Sequence, residues 1–216
     1  MTPTELINWE KRIEAWLSVQ PIADSGHDLA HIKRVVKVAR ALAKAENAEL
    51  AVVIPAAWLH DCVAVAKDDP RRAQASTLAA EQALELLTQW HYPAAYLQDI
   101  GHAIQAHSYS ANIACESLAA EIVQDADRMD ALGAIGVART VMVGSELGHP
   151  LTYPEDPFCY HRMPDDSRSM IDHFYTKLLN LKDRFNTSSA KREAARRHQF
   201  MLDFLAQLET EITEKP

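Results

Sequence analysis

Glycine is scarce, with six in 216 residues, and there is no run of alternating β-branched residues. Beside abundant Ala and Leu, that shortage argues against sheets and for helices almost throughout. The three cysteines, Cys62, Cys115 and Cys159, stand at wide spacings without a CxxC pair. No disulfide framework is expected, and a reducing, cytoplasmic setting is the simplest reading. Positive charge is also short: 22 Lys and Arg against 30 Asp and Glu give a formal net charge of -8. Such a chain repels a phosphate backbone, so long nucleic acid is not an expected partner. A small anionic substrate stays open, because a metal ion and a few Lys or Arg side chains reverse the field inside one cleft. The most apolar stretch, Leu50 to Leu59, falls well below the ~20 residues that cross a bilayer. The first residues lack a basic start followed by an apolar run, so neither membrane anchorage nor a signal peptide is expected. A homo-oligomer is compatible with the pattern.

What is present is helical periodicity. Thr2-Pro3-Thr4-Glu5 combines a capping box with Pro at the first helical position and opens a helix toward Pro21. A second helix begins near His27, with Leu29, Ile32, Val35, Val36, Ala39, Leu42 and Ala43 recurring on one stripe. From about Glu49 to Ala66 the chain is apolar around its whole circumference, as in the central helix of a bundle. Further helices are expected from Asp69-Pro70 to Trp90, from Pro93 to near His107, and over Leu118 to Leu147. Prolines 150, 154, 157 and 164 mark an ordered surface loop or lid over about 148–166, whose Tyr153, Phe158 and Tyr160 are able to pack. Two amphipathic helices, Ser167 to Leu181 and Ser189 to Ile212, follow, and the charged end EITEKP is expected to fray. The expected fold is all-α, a single helical domain over 1–216 with its core at about 20–180.

Within that most apolar helix sits WLHDCVAVA, which places His60 and Asp61 in apolar surroundings. Burying an ionised carboxylate without compensation costs several kcal/mol, so Asp61 calls for a cation, and a divalent metal is the most effective one. Adjacent helical residues diverge by about 100°, which makes ligation by both a strained but workable geometry. Further ligands are available in GHDLAHIKRV, where His27 and His31 share a helical face, and in IVQDADRMDALGA, with Asp125, Asp127 and Asp130.

His31, then His60-Asp61, then Asp127 resembles the H…HD…D signature of the HD superfamily of metal-dependent phosphohydrolases. The words HDLAHIKRV, HDCVAVAK and DADRMDALGAIG resemble a bacterial subgroup that cleaves nucleoside triphosphates to monophosphate and pyrophosphate. The resemblance runs from about residue 20 to 180 and implies an HD-domain helical bundle. It also implies that His31, His60, Asp61 and Asp127 are the ligands, with Asp127 in the ADR position in place of Asp125. Two imidazoles and two carboxylates balance one divalent ion, Mn²⁺ foremost, with Co²⁺, Ni²⁺, Fe²⁺ and Mg²⁺ as alternatives. Such an ion lowers the pKa of a coordinated water and polarises a phosphoryl oxygen.

Around this set, His27, Lys67, Arg71, Arg72 and Arg128 are candidate contacts to a small anionic nucleotide. Arg128 and Asp130, beside the last ligand, are candidates to orient it. His102 and His107 lie five apart and diverge by about 140° on a regular helix, so at most one faces the site. His107 is the candidate to bind phosphate or donate a proton, and Asp61 or His107 is the candidate to assist a metal-bound hydroxide. The chain departs from several HD phosphatases and alarmone hydrolases by carrying Ala64 where they carry a catalytic Glu. It also lacks HHE and GYP sequences, which argues against a cyclic-dinucleotide phosphodiesterase. The expected activity is hydrolysis of a phosphoanhydride bond. The alternatives are a nucleoside monophosphate phosphatase, a dinuclear iron oxygenase on the same fold, and a non-catalytic metal- or nucleotide-sensing module.

Overall fold

The computed structural model describes residues 1–20, 28–63, 65, 69, 71–108 and 111–213. Among them there is no strand, and the fold is all-α as expected. They fall into two compact units, one of residues 1–127 with 186–190 and the other of 128–185 with 191–216.

In the first unit, α1 (Pro3–Leu17) opens with the capping box, Thr2 and Glu5 bonding each other's backbone N–H. The second helix, α2 (Leu29–Glu46), is capped by Asp28, whose carboxylate accepts the His31 N–H at 2.8 Å. It ends on Asn47 in the left-handed conformation, which the Asn side chain tolerates. The central helix α3 (Leu50–Leu59) is buried from Ala51 to Leu59 and packs on α1 and α2, and also on α5 (Leu97–His107). Between them, α4 (Ala75–Gln89) follows a short 3₁₀ turn and packs on α5.

Pro55 lies inside α3 and has no N–H to give the carbonyl four residues back. That carbonyl, of Ala51, takes the Tyr92 hydroxyl at 2.6 Å instead. The Glu10 carboxylate joins three helices, binding Arg40 of α2 and the Trp58 indole N–H of α3.

The central helix is shorter than its apolar run suggests. It stops at Leu59, with His60 in the C-cap position, because apolar content marks burial and carries no stop signal. Likewise the helix expected over Leu118 to Leu147 is two, α6 (Leu118–Met129) and α7 (Gly133–Glu146). In the second unit, Gly133 has φ +70 at the junction, which a residue with a Cβ adopts only under strain. The Arg197 guanidinium of α9 (Ser188–Thr213) bonds the Met129 carbonyl at 2.8 Å there.

The expected helix from Ser167 is broken as well, into α8 (Asp172–Thr176) and a 3₁₀ run over Leu178–Arg184. The proline-rich segment before it is ordered by side chains. Phe158 is buried and Tyr153 lies under the guanidiniums of Arg162 and Arg168. Tyr160, expected to pack, is exposed and donates its hydroxyl to Glu209. Of the end expected to fray, Glu211 to Thr213 are helical as the last residues of α9, and 214–216 lie outside the described residues.

Candidate metal centre

The first unit brings five of the candidate residues together: His31, His60, Asp61, His107 and Asp127. His31 comes from the first turn of α2, where the Asp28 cap fixes its backbone. His60 and Asp61 follow the last residue of α3. The pair therefore lies on a turn, with Cys62 N–H returning to the Leu59 carbonyl at 3.2 Å, and the divergence expected on a regular helix does not arise. His107 is the last residue of α5, and Asp127 lies in the last turn of α6.

Two of the imidazoles are oriented by the same local device. His60 Nδ1 is 2.8 Å from the Ala57 carbonyl and His107 Nδ1 is 2.6 Å from that of Ile104. A carbonyl only accepts, so Nδ1 carries the proton in both and each Nε2 turns toward the cluster. A helix end leaves such carbonyls without an N–H, which is why the local fold offers the bond.

The Nε2 atom of His60 is buried and has no hydrogen-bond partner. It lies 3.6 Å from Asp61 Oδ2 and 3.8 Å from Asp127 Oδ1. His31 Nε2 lies 3.4 Å from Asp127 Oδ1 and 4.0 Å from Asp61 Oδ2. These separations are long for hydrogen bonds and bring the donor atoms around one point. His31, His60 and Asp127 form one group whose ligand atoms lie within 4.8 Å of one another, and His60, Asp61 and His107 form a second. His107 Nε2 is 3.5 Å from Asp61 Oδ1.

The protonation states favour a cation. Burial pushes the His60 pKa down and keeps the ring neutral, outweighing the pull of Asp61. Burial also works against an ionised Asp127, but the nearby His31 ring nitrogen at 3.4 Å and the other two imidazoles overcome it and hold Asp127 down to about 2. For His107 burial is again the largest single influence and opposes charge, but Asp61, Asp127 and the Ile104 carbonyl together outweigh it and raise the pKa. A buried imidazole nitrogen without a partner beside ionised carboxylates fits a divalent ion.

The other candidates are placed differently. His102 turns away and accepts the Glu116 N–H at 3.0 Å. The exposed Arg71 guanidinium is held by Asp69 through bonds of 3.1 and 2.8 Å. His27, Lys67 and the side chain of Arg72 lie outside the described residues. In the second unit Arg128 donates to the Arg184 carbonyl, and buried Asp130 receives Arg139 at 2.6 Å. Sequence reasoning weighed Asp125 only as a ligand. It is fully buried and accepts from Asn186 and Thr187 instead. The one signal for this lay in the Asn186-Thr187-Ser188 run, which reads as a helix cap.

Comparison with known proteins places this geometry. The HD domain family model matches residues 28–132. The protein YpgQ of Bacillus subtilis (strain 168) is 35% identical over 207 residues, covering 94% of this chain and 93% of YpgQ. The solved structure of YpgQ in complex with ADP matches with a TM-score of 0.75 at 32% identity, covering 96% of each chain. An HD-superfamily hydrolase from Bacillus thuringiensis matches with a TM-score of 0.76 at 31% identity, covering 97% of this chain and 100% of that one. The family match and these neighbours, together with a His/Asp cluster able to bind metal, define a hydrolase of the HD superfamily. The chain belongs to the HD domain family.

Proposed function

We propose that this protein hydrolyses nucleoside or deoxynucleoside triphosphates to monophosphate and pyrophosphate, and that the whole chain, 1–216, works as one HD domain. The observation that carries the reading is the grouping of His31, His60 and Asp127, with Asp61 within 4.0 Å of both imidazoles and His107 beside Asp61. YpgQ, similar along almost the full length, has been solved with ADP, which directs the substrate class toward nucleotides. The phosphoanhydride bond is the scissile bond that the sequence motifs imply.

His31, His60, Asp61 and Asp127 hold the ion, with Mn²⁺ foremost and Co²⁺, Ni²⁺, Fe²⁺ or Mg²⁺ as alternatives. When bound, that ion supplies Lewis acidity to a phosphoryl oxygen and acidity to a coordinated water. The protein residues do the rest. Asp61 faces His60 through Oδ2 and His107 through Oδ1, so it joins the ligand set to the proton-carrying imidazole. His107, with its raised pKa, hands a proton to the leaving pyrophosphate. His27, Lys67 and Arg72 bind the phosphate chain. Arg71 joins them only by leaving Asp69. Asp130, held by Arg139, steadies the end of α6.

The test is product analysis. Chelated protein is resupplied with Mn²⁺, Co²⁺ or Mg²⁺ and offered a panel of NTPs, dNTPs and monophosphates. Metal-dependent pyrophosphate release from triphosphates is the expected result. Phosphate from monophosphates moves the protein to the nucleotidases, oxygen consumption with iron moves it to the oxygenases, and silence leaves a sensing module.

A further inference from the structure

A buried glutamine that holds no place in the ligand set, braced by a part-buried asparagine, connects the site's last two elements. α5 ends at His107, so the carbonyl of Ala106, one residue earlier, has lost its intrahelical N–H. Gln124 of α6 supplies the missing donor, its Nε2 lying 2.7 Å from that carbonyl. The other end of the same amide is used as well, since Gln124 Oε1 accepts from Asn186 Nδ2 at 2.9 Å. Asn186 in turn bonds Asp125 Oδ1 through its backbone N–H at 2.8 Å and its Nδ2 at 3.1 Å. Thr187 completes the set on Asp125 Oδ2, with its N–H at 2.9 Å and its hydroxyl at 2.8 Å.

The spacing along α6 gives this arrangement its meaning. Gln124 precedes Asp127 by three residues and shares its side of the helix, whereas Asp125 precedes it by two and points away. The turn before Asp127 is therefore gripped on both faces: through Gln124 to the end of α5, which carries His107, and through Asp125 to 186–187. Gln124 is 7% exposed, Asp125 0% and Thr187 4%. Well-packed apolar side chains would serve stability alone as well as a buried carboxylate does. What apolar packing does not supply is a fixed rotation of α6 relative to the end of α5.

We infer that Gln124 and Asn186 are positioning residues of the metal centre, fixing α6 against the end of α5 so that Asp127 and His107 face the same point. This rests on the metal-centred reading proposed above.

The test uses the full chain, stripped of metal and titrated with Co²⁺ alone, followed through its visible absorption bands. Gln124→Met keeps the length of the side chain and removes both ends of the bridge. It is expected to bind Co²⁺ about 10- to 100-fold more weakly, with shifted bands, while the far-ultraviolet helical signal is unchanged. Asn186→Ala, which removes the Gln124 bond and the side-chain bond to Asp125 while keeping the backbone N–H bond, shifts both in the same direction and serves if Gln124→Met does not fold. Gln89→Met, at an exposed amide bonded only to Glu85 among the described contacts, leaves the spectrum unchanged. Wild-type Co²⁺ affinity and bands in a folded Gln124→Met or Asn186→Ala protein overturn the inference alone. A wild-type chain that binds no Co²⁺ overturns the metal-centred reading and the inference with it.

Discussion

His60 and His107 stand edge to face, their ring centroids 4.9 Å apart, each with Nδ1 tied to the carbonyl three residues before it. Both rings sit at the end of a helix, where an orphaned carbonyl is at hand to set the tautomer. They differ in charge preference: burial keeps His60 neutral, and Asp61 raises His107. A neutral ring suits a ligand and a proton-bearing ring suits an acid, which separates their roles within one cluster.

That separation predicts a specific phenotype for His107→Ala. The variant is expected to keep its Mn²⁺ and to lose about 100-fold in kcat, the lower end of what a positioned acid or base contributes. Metal content and steady-state kinetics read the two quantities independently. Wild-type turnover at every pH would remove His107 from the chemistry.

In the second unit Asp172 anchors the proline-rich segment. Its buried carboxylate accepts from the Arg162 guanidinium, the Ser169 hydroxyl at 2.6 Å and the Asp165 N–H at 2.7 Å. Burial alone would raise the pKa, but these bonds outweigh it and hold Asp172 down to about 2. The folded value lies below the ~3.9 of an unfolded Asp. The stabilisation is thus complete above pH ~4 and is lost as pH falls toward ~2, amounting to about 2 kcal/mol. Asp172→Asn is expected to be less stable by about 2 kcal/mol at neutral pH, because the part-buried Arg162 loses its counter-charge. Its stability should also change less between pH ~4 and ~2. Thermal unfolding across pH measures both, and an unaltered acid limb in the variant would show that Asp172 is not the group responsible.

A backbone close approach yields a third expectation. A Cβ at Gly136 would lie 2.3 Å from the carbonyl oxygen of Ala131, and a main-chain atom at that distance has little room to yield. Gly136→Ala should lower stability by about 2 kcal/mol, despite the better helix propensity of Ala. Denaturant unfolding checks it, and a stabilised variant would mean that the start of α7 relaxes freely.

Much of the fold was open to sequence reading because local signals specified it. The Thr2–Glu5 capping box marks the start of α1, and the stripe from Ile32 to Ala43 marks the buried face of α2. The end of α3 was not open, since His60 stops the helix with its side chain and the apolar run continues past it. The break between α6 and α7 depends on Gly133 at positive φ and on Arg197, far away in the chain. The five clustered residues were candidates from motif and resemblance. The bridge through Gln124, Asp125, Asn186 and Thr187 was not, because its parts lie about sixty residues apart and carry no shared periodicity.

If one His/Asp cluster both holds the metal and makes the protein a hydrolase, Asp61→Asn loses both properties at once. The substitution removes the carboxylate charge while nearly keeping its shape. Bound Mn²⁺ and pyrophosphate release from triphosphates are measured on the same preparation, beside the wild type. Both are expected to fall together, by about 100-fold or more in turnover, in a protein that remains folded. An Asp61→Asn protein that keeps its metal and its activity would separate the cluster from the hydrolysis and overturn the assignment.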